Sequence, residues 1–135
     1  MTILSLRIEQ RSLTNFSASA SSGRIDMSGT YEVKLSNGGF LPVPDTQYNL
    51  TNLSIPDTDI TILSDKQQQL GRIARRNSKT VQIPFEISAA RSELIGFAET
   101  GCDNEPVQLK VKESATGALF KRTINNTKEA ITVSE

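Results

Sequence analysis

The densest group of side chains able to do chemistry is basic: Arg72, Arg75, Arg76 and Lys79 fall within eight residues. A phosphate group or an acidic protein surface could dock on such a cluster, although arginines flanking a strand also serve simply as a solvated turn. Arg75-Arg76-Asn77-Ser78 has in addition the form of a basophilic phosphorylation target. Cys102 is the single cysteine and lies close to Asp103 and Glu105. With no histidine anywhere in the chain to act as its base, it reads as a structural or exposed thiol rather than a nucleophile. Asp57-Thr58-Asp59-Ile60 is the nearest approach to a calcium loop. It lacks the following Gly and Glu and reads as a polar turn. Triplets of the form Asn-X-Ser/Thr begin at Asn15, Asn49, Asn52 and Asn125. The first ten residues do not read as a secretory leader, so these are expected to be unused.

These residues imply no catalytic site, no metal and no cofactor. The absence of histidine removes the commonest general base near neutral pH and the commonest metal ligand. The 15 basic and 15 acidic residues cancel, so no global field draws the chain to nucleic acid or to an anionic membrane. Tryptophan is absent, and Tyr31, Tyr48 and five phenylalanines are too scattered for a base-stacking platform. A lone cysteine excludes an intramolecular disulfide and fits a reducing compartment. No apolar run is long enough to span a membrane.

The elements that must position these residues read as strands. Ile25 to Leu35 alternates without a break: Ile25, Met27, Gly29, Tyr31, Val33 and Leu35 on one side, Asp26, Ser28, Thr30, Glu32 and Lys34 on the other. A period of two predicts a strand with one buried face. Leu4, Leu6 and Ile8 predict a leading strand, and the Ser/Ala-rich stretch 12–23 a loop or a ragged edge strand. Asn37-Gly38-Gly39 and the prolines at 42 and 44 predict a turn and an irregular segment. Residues 46–55 predict a strand that slips phase between Leu50 and Leu53, as a bulge would cause. Residues 59–63 predict a further short strand, and 64–78 suit a helix or a strand equally. Val81, Ile83, Phe85 and Ile87 alternate around Pro84, which places that strand at an edge or a bulge. Residues 88–100 predict the helix, capped by Ser88 and stopped by Gly101. Val107, Leu109 and Val111 then pair across a turn at 113–117 with residues 118–124, and Ile131 and Val133 suit a last short strand.

Short strands at close spacing with one helix predict an all-β fold: an antiparallel β-sandwich of about seven strands, immunoglobulin- or fibronectin type III-like, in a single domain over residues 1–135. The order of features also resembles the water-stress (WHy) family of late-embryogenesis-abundant-like domains. The resemblance rests on the leading strand at Leu4 to Ile8, the long alternating strand closing on Asn37, Phe40-Leu41-Pro42-Val43-Pro44, Tyr48-Asn49-Leu50, and the proline-bearing strand within residues 73–87. It departs where the family's Asn-Pro pair is Asn37-Gly38 and where the Asn-Gly after the tyrosine strand is missing. The resemblance implies a non-enzymatic, stress-protective protein that acts by surface contact in the cytoplasm. The other expectation is a structural subunit of an assembly, such as a virion decoration or tail protein or a filament unit. Either implies a protein partner or self-association, and neither implies nucleic acid, a membrane span or a small-molecule substrate.

Overall fold

A computed structural model describes residues 6–103, 105–117 and 120–134, the side chains of 120–130 excepted. The chain runs β1 (Leu6–Ser21), β2 (Arg24–Asn37), β3 (Val43–Ser54), β4 (Thr61–Ile73), β5 (Ser78–Ala90), α1 (Arg91–Cys102), β6 (Val107–Gly117) and β7 (Phe120–Val133). It is an all-β fold with one helix. The strands form one sheet in the order β4-β3-β6-β7-β1-β2-β5. Every pairing is antiparallel except β1 with β7, where Ser12 and Leu13 run parallel to Thr132 and Val133. The sheet is therefore mixed rather than wholly antiparallel. It has two halves, β4-β3-β6 and β1-β2-β5, and β7 joins them by pairing with β6 along most of its length and with β1 at its end. The outermost strands β4 and β5 also lie beside each other, where Lys79 Nζ donates to the Leu70 carbonyl at 2.5 Å. The sheet is thus nearly closed on itself.

The alternation in β2 translates directly into burial. Ile25, Met27, Tyr31, Val33 and Leu35 are buried and their even-numbered neighbours face outward. β2 pairs with β1 on one side and, over Arg24 to Ser36, with β5 on the other. Its position is next to the end of the sheet order rather than central. Pro84 stands opposite Thr30 on β5, the end strand, where a residue with no amide proton costs no ladder bond on the outer side.

Several local expectations are corrected by the structure. Of the two readings of the Ser/Ala-rich stretch 12–23, the ragged strand holds and the loop does not: β1 continues through Ser21, with register shifts between Glu9 and Arg11 and between Thr14 and Ser17. Gln10 and Asn15 take positive φ of 44° and 52° at these bulges. Each bulge adds one residue and so exchanges the two faces. Leu6 faces the core before the first bulge, Leu13 after it and Phe16 after the second. The ambiguous stretch 64–78 forms the strand β4 through Ile73 and then a turn. The expected bulge in β3 lies between Leu50 and Asn52 in its pairing with β6. β6 extends through the residues expected to turn at 113–117, and residues 120–133 make one strand where two short ones were expected.

The helix begins at Arg91 rather than Ser88, which belongs to β5; Ala90 precedes the first turn and provides no side-chain cap. It buries Leu94, Ala98 and Gly101. Gly101 lies inside the helix rather than ending it. Its bare Cα lets the Phe16 ring approach so closely that a Cβ there would fall 2.6 Å from Phe16 Cε1. Phe16 and Phe97 meet edge to face with centroids 6.2 Å apart.

Candidate functional site

The basic residues that sequence reasoning singled out stay together around the β4–β5 turn, and the cysteine and the Asp57-Asp59 turn lie apart from them. Arg72 is exposed at the end of β4, Arg75 and Arg76 are exposed in the turn after it, and Lys79 is at the start of β5 with its ammonium on the Leu70 carbonyl. Cys102 is exposed at the end of the helix as a free thiol. Asp57 and Asp59 lie in the β3–β4 turn, which is organised by Thr58: its hydroxyl donates to the Ile55 carbonyl at 2.9 Å and accepts from the Ile60 amide at 3.1 Å. Among the described residues, no group of three or more His, Cys, Asp or Glu is placed to hold a metal. Asn15, Asn49 and Asn52 lie on β1 and β3, and the Asn125 side chain is outside the described residues.

The chemistry-bearing cluster is internal, and sequence reasoning missed it. Glu113 on β6 is buried with its side chain 0% exposed, and Arg11, Tyr31 and Tyr48 surround it. Arg11 Nε donates to Glu113 Oε1 at 2.6 Å as an ion pair. The Tyr31 hydroxyl donates to Oε2 at 3.1 Å, and the Tyr48 hydroxyl donates to the same oxygen in a shorter bond. Each member comes from a different strand: β1, β2, β3 and β6. Burial raises the pKa of both tyrosines far above the ordinary phenol value. The Glu113 charge is the next cause for Tyr31, while Tyr31 and then Glu113 follow for Tyr48. Both hydroxyls therefore remain neutral donors throughout the physiological range.

Local sequence explains how four polar groups came inside. Glu113 keeps the parity of Val107, Leu109, Val111 and Ala115, all buried, so strand geometry alone turns it inward. Tyr31 and Tyr48 likewise hold the inward parity of their strands. Arg11 would follow Arg7 and Glu9 outward in a regular strand; the bulge at Gln10 reverses the face and sends it in. The signal for Glu113 was present as a continued period of two, whereas nothing in the local pattern announced the bulge at Gln10.

An ion pair in a low-dielectric interior loses several kcal/mol of hydration per ion and is tolerated only when its remaining hydrogen-bonding capacity is met. Here both carboxylate oxygens are engaged, by a cation on one side and two phenols on the other. Such a carboxylate is held in place and is a poor general base, because its lone pairs are already occupied by donors that do not leave. The arrangement ties β1 and β2 of one half of the sheet to β3 and β6 of the other.

No family model matches the chain, and no curated protein matches it. Solved structures do resemble it. An X-ray structure of the structural-genomics target SoR45 aligns with a TM-score of 0.50 at 11% identity, over 93% of this chain and 86% of that one. At this identity the likeness concerns the fold alone. The solution structure of AT1g01470 from Arabidopsis thaliana aligns with a TM-score of 0.46 at 14% identity, over 98% of this chain and 87% of that one.

Proposed function

We propose that the protein is a non-enzymatic β-sandwich of the water-stress, late-embryogenesis-abundant-like type, acting through its surface rather than by chemistry. The observation that carries this reading is the occupied Glu113: the carboxylate best placed inside the fold to do chemistry has its side chain 0% exposed and both its oxygens engaged. The two half-sheets joined by β7 support the sandwich form of immunoglobulin- and fibronectin type III-like domains. The order of elements also accords with the resemblance: a long strand ends at Asn37, a proline-bearing segment and a tyrosine strand follow, and Pro84 sits in a late strand. Assembly through free sheet edges finds no support, because β4 and β5 lie against each other.

The test is protection of a dehydration-sensitive enzyme through drying and rehydration. The purified protein is expected to preserve more activity than an equal mass of an inert globular protein. Equal recovery would remove the stress-protective reading.

A further inference from the structure

Charge neutrality of the whole conceals a segregation along the strand axis. β2 is about 45 Å long at roughly 3.3 Å per residue, and among the described residues the two ends of the molecule differ in the sign that predominates. At the end where β2 starts, the helix and the β3–β4 turn carry Asp57, Asp59, Glu93, Glu99 and Asp103, all exposed, against the exposed Arg24 and Arg91, so acidic groups predominate among the described residues. At the end where β2 finishes, the β2–β3 loop and the β4–β5 turn lie side by side; the turn carries Arg75 and Arg76, with Arg72 just before it, against one exposed carboxylate, Asp45, at the start of β3. Next to them is a surface hollow of about 340 Å³ lined by Arg7, Lys34, Ser36, Arg76 and Ser78. Its one carboxylate, Glu9, accepts a hydrogen bond from the Ser36 hydroxyl at 3.0 Å.

Among the described residues, the exposed large apolar side chains lie at the same basic end. Phe40 is 42% and Leu41 51% exposed, at the apex of the β2–β3 loop. Their exposure is built in. Asn37 is buried at the end of β2, where its amide nitrogen donates to the carbonyls of Leu41 at 2.9 Å and Ile73 at 3.1 Å while its Oδ1 accepts from the Gly39 amide at 2.9 Å. Its backbone amide donates to the Asn77 carbonyl at 2.8 Å. A single side chain thus locks the apolar loop to the arginine-bearing turn, and the Arg76 guanidinium stands 5.8 Å from the centre of the Phe40 ring.

We propose that this end of the molecule docks on an anionic lipid surface, with Phe40 and Leu41 entering the headgroup–acyl boundary and Arg72, Arg75 and Arg76 facing lipid phosphates. The hollow beside Arg7, Lys34 and Arg76 receives a headgroup phosphate. The charge pattern selects a polyanionic surface, and the opposite charge at the helix end orients the molecule toward it. The shape selects lipid over protein: a stable protein interface buries about 800 Å² per partner, more than two apolar side chains on a convex tip provide, whereas a bilayer boundary accepts a small wedge backed by cations. The docking does not depend on a stress-protective role, and its test has no protection readout.

The experiment is co-sedimentation of the whole protein with phosphatidylcholine vesicles, with and without phosphatidylserine, comparing wild type, Phe40→Ser/Leu41→Ser and Arg75→Glu/Arg76→Glu. Each variant is first checked for an unchanged unfolding midpoint, which its exposed position predicts. Wild type is expected to bind only the anionic vesicles and to be released as ionic strength approaches about 1 M, where screening confines charge interactions to ~3 Å. The arginine variant is expected to bind at least tenfold more weakly, since each basic residue near such a surface contributes about fivefold. The apolar variant should also lose about tenfold or more. Equal binding to neutral vesicles, or no binding at low salt, would overturn the proposal. Tight binding to poly-glutamate that is indifferent to Phe40→Ser/Leu41→Ser would also overturn it, assigning the surface to an acidic protein.

Discussion

Arg11 and Glu113 are the residues whose removal should cost most for the fewest atoms. Replacing one partner of a buried ion pair leaves the other charged and dehydrated, at about 3–5 kcal/mol, whereas replacing both with apolar groups of similar volume is often nearly neutral. Arg11→Met alone is therefore expected to lower the urea unfolding free energy by ~3–5 kcal/mol, and Arg11→Met/Glu113→Met to recover only part of that loss, because the buried Tyr31 and Tyr48 hydroxyls then lack their acceptor. A double variant no more stable than the single one would mean that the pair contributes more than mutual compensation. Tyr48→Phe withdraws one of the two donors on Glu113 Oε2 and is expected to cost about 1–3 kcal/mol in the same measurement. Position alone made three of these residues legible. Tyr31, Tyr48 and Glu113 all keep the alternation of their strands, but Glu113 was read as the start of a turn because charged, small and glycine residues follow it. The error lay in giving local turn chemistry more weight than a period already three residues long.

At the scale of elements, β2 and the helix give tests of opposite sign. Val33 is fully buried on β2, so Val33→Asp places an unpaired charge in the core and is expected to unfold the protein. Glu32 faces outward and accepts a hydrogen bond from Gln82 Nε2 at 2.6 Å, so Glu32→Lys should shift the thermal midpoint little. In the helix, Gly101→Ala drives a methyl group into the Phe16 ring and is expected to cost about 1–3 kcal/mol. Gly96→Ala enters open space within the same helix and should add up to ~1 kcal/mol. Equal shifts for the two glycines would place the Phe16 contact wrongly. Regular elements such as β2 and β5 were legible because each alternates without interruption. β1 was not, because two bulges exchange its faces within ten residues and the sequence then shows neither period. The same bulges made the basic-to-core placement of Arg11 invisible, since the residue that turns it inward, Gln10, has no special chemistry of its own.

Across the whole molecule, the buried cluster joins the two halves of the sheet, and the sequence offers an unusually clear probe of it. The chain has two tyrosines and no tryptophan, and both tyrosines belong to the cluster. Their hydroxyls are held well above the ordinary value of 10.0 by burial first and by neighbouring groups of the cluster second. A group whose folded pKa is raised stabilises the fold fully below its unfolded pKa and progressively less above it. The stability these two tyrosines contribute is thus complete up to about pH 10 and falls beyond it by roughly 1.4 kcal/mol per pH unit for each. The all-β composition with one helix was legible from strand spacing, whereas the mixed pairing and near-closure of the sheet and the segregation of charge between its ends depend on which strands become neighbours, a matter of pairings far apart in sequence. The claim that the chemistry-bearing residues form a sealed internal clasp is tested most directly by an alkaline titration that follows tyrosinate absorbance and backbone circular dichroism together. The account predicts no tyrosinate until the fold is lost, with both tyrosines then ionising in the unfolding transition itself. Ionisation of either tyrosine near pH 10 while the circular dichroism remains native would contradict it.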